Sequence, residues 1–224
     1  METLTLVARQ LFLFAHLIAF ALAFAAILAE DLALLSSRQI DQDKLVATGR
    51  TIVRLLATLW ITGATLIVMD VGWDLAALLD RPKLLTKLTV VSVLTLNGWL
   101  LHQFAFPVMT SPSLDKPGHG ATLCAVLGAV SSVSWLYASF VGVARLIAPK
   151  LGLLGFMSTY VMCLATGVAV GLLVARPKLV ALLQAQAERQ DALPASATVV
   201  PLGAPPAAQA VVAEAAQRPE LAAA

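Results

Sequence analysis

The chain has 224 residues, of which 59% are hydrophobic and only 12% charged, with a formal net charge of +2 and a mean hydropathy of +0.87. An ordinary soluble domain carries about 25% charged residues, so a soluble fold of this size could not hide so much apolar surface. So small a net charge, from Lys and Arg scattered along the chain, also excludes a nucleic-acid footprint.

The first apolar run, residues 11–35, follows Arg9 and carries Glu30 and Asp31 near its far end. It is long enough to cross a bilayer with some tilt. Ala23-Phe24-Ala25 offers a signal-peptide cleavage pattern, but the positive region before it is only Arg9 and the apolar run continues well past it, so a retained span is expected. Ala15, Ala19 and Ala23 form a small-residue ridge for a neighbouring helix, with His16 beside it. Residues 36–50 hold Arg38, Asp41, Asp43, Lys44 and Arg50 without an apolar period and read as a water-facing loop with a short helical piece.

The second span, residues 51–71, carries a polar stripe at helical spacing: Thr51, Arg54, Thr58, Thr62, Thr65 and Met69. Such a stripe points into the protein. Residues 70–82 mix charge with Trp73, as a segment at the headgroup level does. The third span, residues 86–106, runs from Lys87 to Pro107, and about 20 residues at roughly 1.5 Å each cross a hydrocarbon core of about 30 Å. Thr89, Ser92, Thr95, Trp99 and His102 share one face of it, and Asn97 is the other strongly polar residue apart from Gln103. Residues 107–120 contain three prolines and two glycines, which exclude a continuous helix. His119 falls there and reads as solvated.

The fourth span, residues 121–144, has Ser131, Ser132 and Ser134 near its middle, where hydroxyls bond to carbonyls of their own helix. The fifth, residues 151–175, contains Gly167-x-x-x-Gly171, a ridge that lets another helix approach closely. Arg176-Pro177-Lys178-Leu179 echoes Arg81-Pro82-Lys83-Leu84, and both strings read as membrane-edge anchors. Residues 181–224 are expected to form a short amphipathic stretch and then, beyond about Gln190, a disordered Ala/Pro-rich tail. The fold class is therefore an all-α integral membrane protein: a bundle of about five transmembrane helices over residues 1–180.

With five spans the termini lie on opposite sides. The N-terminal side, side A, holds Arg9, Arg81, Lys83, Lys87, Arg145 and Lys150; side B holds Arg38, Lys44, Arg50, Arg54, Lys116, Arg176, Lys178 and Arg189. Eight against six favours side B, with the C-terminal tail, as cytoplasmic in a bacterial inner membrane. The alternation places His16 near side A, at the level of Met69 and Met157, and His102 near side B, at the level of Arg54, Cys124 and Glu30. The two histidines then differ in depth by roughly 15 Å and cannot share one iron or copper.

His16, Met69 and Met157 are the candidate metal group, since imidazole and thioether suit copper and haem iron. His102, Asn97, Arg54, Thr58, Thr62, Ser92 and Thr95 are the candidates for a polar pathway or for contacts between helices, with Thr58 and Thr62 facing Ser92 and Thr95. Cys124 and Cys163 stand in apolar runs without zinc or CxxC spacing. There is no GxSxG, HExxH or P-loop, and Glu30, Asp31 and Asp70 stand at membrane edges, so no enzymatic signature is present. The expected role is small-solute or proton transport or membrane assembly, with membrane lipids and a second copy or other membrane subunits as partners and no cofactor. Haem or copper binding is the alternative.

His16 in the first span, Thr62-Gly63 in the second, Pro82 followed by Lys87-Leu88, and His102 in the third resemble small bacterial multi-pass membrane proteins of unknown function, loosely similar to the copper-resistance CopD-type membrane domain. The resemblance covers residues 10 to 107. It implies an inner-membrane helical bundle handling copper or haem through His16 and His102.

Overall fold

The protein is described by a computed structural model covering residues 2–36, 41–110, 117–144 and 146–192. The expected disordered tail lies outside the described residues from residue 193 onward. Five helices are long and apolar enough to cross a membrane, and the described residues form no strand.

Helix α1 spans Glu2–Ser36 and α2 spans Gln42–Val71. The water-facing loop expected over residues 36–50 is much shorter than that. Asp41 caps α2, its carboxylate accepting the Lys44 N–H at 3.0 Å, so the charged stretch is the helix's first two turns. Helix α2 ends at Gly72, whose φ of 65° a side chain would resist. Asp74 then caps the short α3, Leu75–Leu79, and Pro82 starts α4, Pro82–Leu100, at a position where a proline costs no helical hydrogen bond.

The third span does not stop at residue 106. A π-helical turn, Leu101–Ala105, leads into α5, Phe106–Thr110, so the helix runs through Pro107. The fourth span, α6, covers Pro117–Val143 and already includes His119, so of the stretch expected not to form one continuous helix, residues 107–110 and 117–120 are helical. The fifth is α7, Ala148–Val170, kinked at Gly152 (φ 58°), then a second π turn, Gly171–Ala175, and α8, Arg176–Ala192. Proline explains both π turns. Pro107 and Pro177 each stand two residues beyond a π turn, where an ordinary helix would drive the ring into a carbonyl four residues back. The chain widens instead: the Phe106 N–H bonds to Leu101 O and the Arg176 N–H to Gly171 O, each five residues back.

Helix α6 is the hub of the bundle, packing on α1, α4, α7 and α8. Of its most apolar stretch 39% is buried, against 6–22% in the other four spans. The cause is small residues: Gly120, Ala121, Ala125, Gly128 and Ala129 thin the helix so that neighbours come close. The glycine ridge of α7 meets this surface. A Cβ on Gly167 would lie 2.2 Å from Val133 Cγ2, and one on Gly171 would lie 3.1 Å from both Ala125 O and Ala129 Cβ.

Two apolar clusters stack along the bundle. One, toward side A, is built from Ala19, Leu59, Val90, Trp135, Tyr137, Phe156 and Tyr160. The other, toward side B, gathers Leu45, Ala105, Met109, Cys124, Leu179 and Leu183. Polar bonds tie each: Ser134 Oγ and Tyr160 Oη at 2.7 Å and Tyr137 Oη to Phe156 O at 2.5 Å in the first, Gln186 Nε2 to Met109 O at 2.9 Å in the second. Large apolar side chains cover the outer faces, among them Leu154, 82% exposed, and Leu173, 77%.

Candidate intramembrane cavity

Helices α1 and α2 form an antiparallel pair whose contacts fix the register. Arg9 Nη2 lies 2.9 Å from an Asp70 carboxylate oxygen, His16 Nδ1 lies 2.8 Å from Thr62 Oγ1, and Thr48 Oγ1 donates to Glu30 at 3.4 Å. Helix α2 meets the third span through Trp60, whose indole N–H donates to Thr95 Oγ1 at 2.9 Å, and through Gln42, whose amide donates to Thr110 O at 2.9 Å.

The expected facing of the two threonine stripes is therefore right in level and different in face. Thr62 is buried and turned to His16 on α1; Thr58 is exposed and bonds to its own helix at Arg54 O. Trp60 and Thr62 are two positions apart, which turns them about 200° from each other, and Trp60 takes the face toward Thr95. Ser92 is exposed, as is Arg54. Asn97 is buried and donates to Leu127 O on α6 at 3.0 Å, a contact between helices.

Each spanning histidine rests on a glycine of α2. A Cβ on Gly63 would lie 3.3 Å from His16 Cε1, and one on Gly49 would lie 3.4 Å from His102 Cε1. His102 also packs edge-on against Phe106, with ring centroids 4.7 Å apart. The two glycines are fourteen residues apart, about 21 Å along the helix, and that sets the separation in depth of the imidazoles. Met69 lies seven residues beyond Thr62, about 10 Å past the His16 level. Met157 lies next to buried Phe156, in the cluster that also contains Ala19 of α1. Among the described residues no group of three or more His, Cys, Asp and Glu is placed to hold a metal ion.

A further feature lies elsewhere in the bundle. A cavity of about 400 Å³ sits between α1, α2, the π turn of the third span, α6 and the π turn of the fifth. Its wall is mainly apolar, with Ile27, Leu101, Phe106, Cys124 and Val174, and Gly49, Gly128, Gly167 and Gly171 also line it; of these four, only at Gly128 would a Cβ meet nothing within 4 Å. Two adjacent carboxylates, Glu30 and Asp31, reach it from α1. Lys44 lies 3.9 Å from Glu30. Asp31 accepts from the Ser132 hydroxyl of α6, and among the described residues it has no ion pair. Lys178 also lines it, and its ammonium donates to Leu35 O, a carbonyl in the last turn of α1. Lys83 does the same for α6, donating to Gly142 O at 3.2 Å. The two Arg-Pro-Lys-Leu strings thus share a use, each lysine capping a neighbouring helix.

Glu30 and Asp31 are the site residues that reading the sequence as membrane edges passes over. The signal was present: Leu32-Ala33-Leu34-Leu35 continues the apolar run for one more turn, so the pair lies inside it. Chemically the cavity can accommodate an apolar body, exchange a proton at Asp31 or hold a positive charge there.

Comparison of the chain with family models, with curated proteins and with solved structures finds no match in any of the three.

Proposed function

We propose that this chain is a multi-pass inner-membrane protein that works without covalent chemistry, giving a proton or a small solute a binding place inside its bundle. The observation that carries this reading is Asp31, a carboxylate on the wall of an apolar cavity with a serine hydroxyl as its partner. Ionisable residues among membrane helices are costly to keep and mark solute or proton paths. Support comes from the two π turns, Leu101–Ala105 and Gly171–Ala175, which border the same cavity, since such turns are frequent at functional sites. In this reading lipid covers the outer apolar faces, and side B, where the cavity lies, is cytoplasmic by the Lys/Arg count.

The test is flux. Wild type and Asp31→Asn, which keeps an oxygen for Ser132, are reconstituted in vesicles carrying an internal pH dye, and proton flux is followed after a pH step. The variant is expected to lose most of the flux. Equal flux in both proteins removes the pathway and leaves membrane assembly as the role.

A second reading, haem or copper held by His16, is favoured by one observation. With the Thr62 hydroxyl turned to Thr58 O at 2.7 Å, its oxygen would accept from His16 Nδ1–H at 2.8 Å, a tautomer that would leave the lone pair of a neutral ring on Nε2. The resemblance over residues 10 to 107 points the same way.

A further inference from the structure

We propose that the cavity takes a monovalent amphipathic organic cation, an ammonium group on an apolar body, with Asp31 as its counter-ion. The proposal deepens the reading above and rests on it. Size comes first: about 400 Å³ is at the lower end of the roughly 300–1,000 Å³ of cavities that enclose drug-sized molecules, and far more than a proton or a bare metal ion needs. The wall then requires a mainly apolar ligand, because Ile27, Leu34, Ile52, Leu101, Val170 and Val174 offer it no hydrogen bond.

Charge decides the remaining group. Of the two carboxylates, Glu30 has a cation nearby in Lys44, while Asp31 has the neutral Ser132 hydroxyl. Lys178, the other cation on the wall, is engaged by the Leu35 carbonyl. An ionised carboxylate facing an apolar space is stabilised by a proton or by a cation brought in with the ligand. An anionic ligand would meet both carboxylates and be repelled. A proton and the ammonium compete for Asp31, so binding of the cation releases the proton, and the two cannot occupy the site together.

Equilibrium dialysis on the full chain in nanodiscs tests this with benzyltrimethylammonium and its uncharged carbon isostere, neopentylbenzene. The expected results are that the cation binds more tightly than the isostere, that Asp31→Asn weakens the cation by about tenfold or more while leaving the isostere unchanged, and that Glu30→Gln does less. Gly128→Leu supplies an independent variant. Gly128 lines the cavity, and a Cβ there meets nothing within 4 Å, so the leucine fills the space with Asp31 intact and should abolish binding of both probes. Helical content and elution volume are compared with wild type for each variant. Equal binding of cation and isostere, or an Asp31→Asn protein that binds the cation as wild type does, overturns the proposal. If the cation does not bind but Asp31→Asn still lowers proton flux, the ligand class is wrong and the pathway stands; if neither effect is found, both readings fall.

Discussion

The Nδ1 of His16 lies 2.8 Å from the Oγ1 of Thr62, and the adjacent Gly63 leaves the space the imidazole needs. The pair links the first two spans near the middle of their contact, between the Arg9–Asp70 ion pair and the Thr48–Glu30 bond. Thr62→Val keeps the shape and removes the oxygen, so it is expected to destabilise the bundle by about 0.5–1.5 kcal/mol, the range of hydrogen bonds between membrane helices. Thr58→Val, at an exposed position of the same stripe, should be neutral within error. Unfolding of the two variants in mixed micelles checks the difference; equal effects would remove the bond's role.

Gly167 is where the fifth span touches the hub. Gly167→Ala places a Cβ against Val133, which has no room at 2.2 Å, so the helices must separate or shift. The expected cost is about 1–3 kcal/mol, as for overpacking elsewhere. Val133→Ala in the same chain should restore most of it. A double-mutant cycle measured by unfolding gives the coupling, and a cycle that closes to zero would show that the contact carries no weight.

Removing the prolines should relax the π turns. In Pro177→Ala the new N–H can bond four residues back, the turn at Gly171–Ala175 can tighten to an ordinary helix, and the amides around it should exchange more slowly with deuterium. The change also rotates Gly171 and Val174 relative to α8, so the cavity they line should lose volume and cation affinity together. Unchanged exchange across residues 170–178 would mean that Pro177 does not cause the turn.

His16 and His102 rest on glycines about 21 Å apart along α2, so a site at His16 has one imidazole within reach from the spans. The purified protein is accordingly expected to show no Soret band and less than one copper per chain. An absorption spectrum with elemental analysis measures both. A stoichiometric metal or haem that is lost in His16→Ala would replace the transport reading by the ligand reading.

Reporter fusions after Asp41, Asp74, Lys116 and Lys150 should alternate in location, with the first and third in the cytoplasm. The basis is the set of five helices apolar enough to cross a membrane together with the Lys/Arg excess on side B. Failure to alternate would remove the five-span arrangement, whereas a reversed pattern would change only its orientation.

Local physics made five apolar helices legible in the sequence, because length and hydropathy depend on neighbours along the chain and on nothing else. The Gly167-x-x-x-Gly171 ridge was legible for the same reason: only a missing side chain lets backbones approach, whatever the partner. Which face met which neighbour was not. Thr62 and Trp60 stand on one helix, and nothing local says that Thr62 turns to His16 while Trp60 turns to Thr95. Nor did the two Arg-Pro-Lys-Leu strings differ locally, yet Pro82 begins a helix after a capped turn while Pro177 sits inside one that widens to contain it. Above all, Glu30 and Asp31 looked like an edge because charge near the end of an apolar run usually marks water. Only the tertiary structure, by bringing the glycines of α2, α6 and α7 around them, made that edge the wall of a cavity.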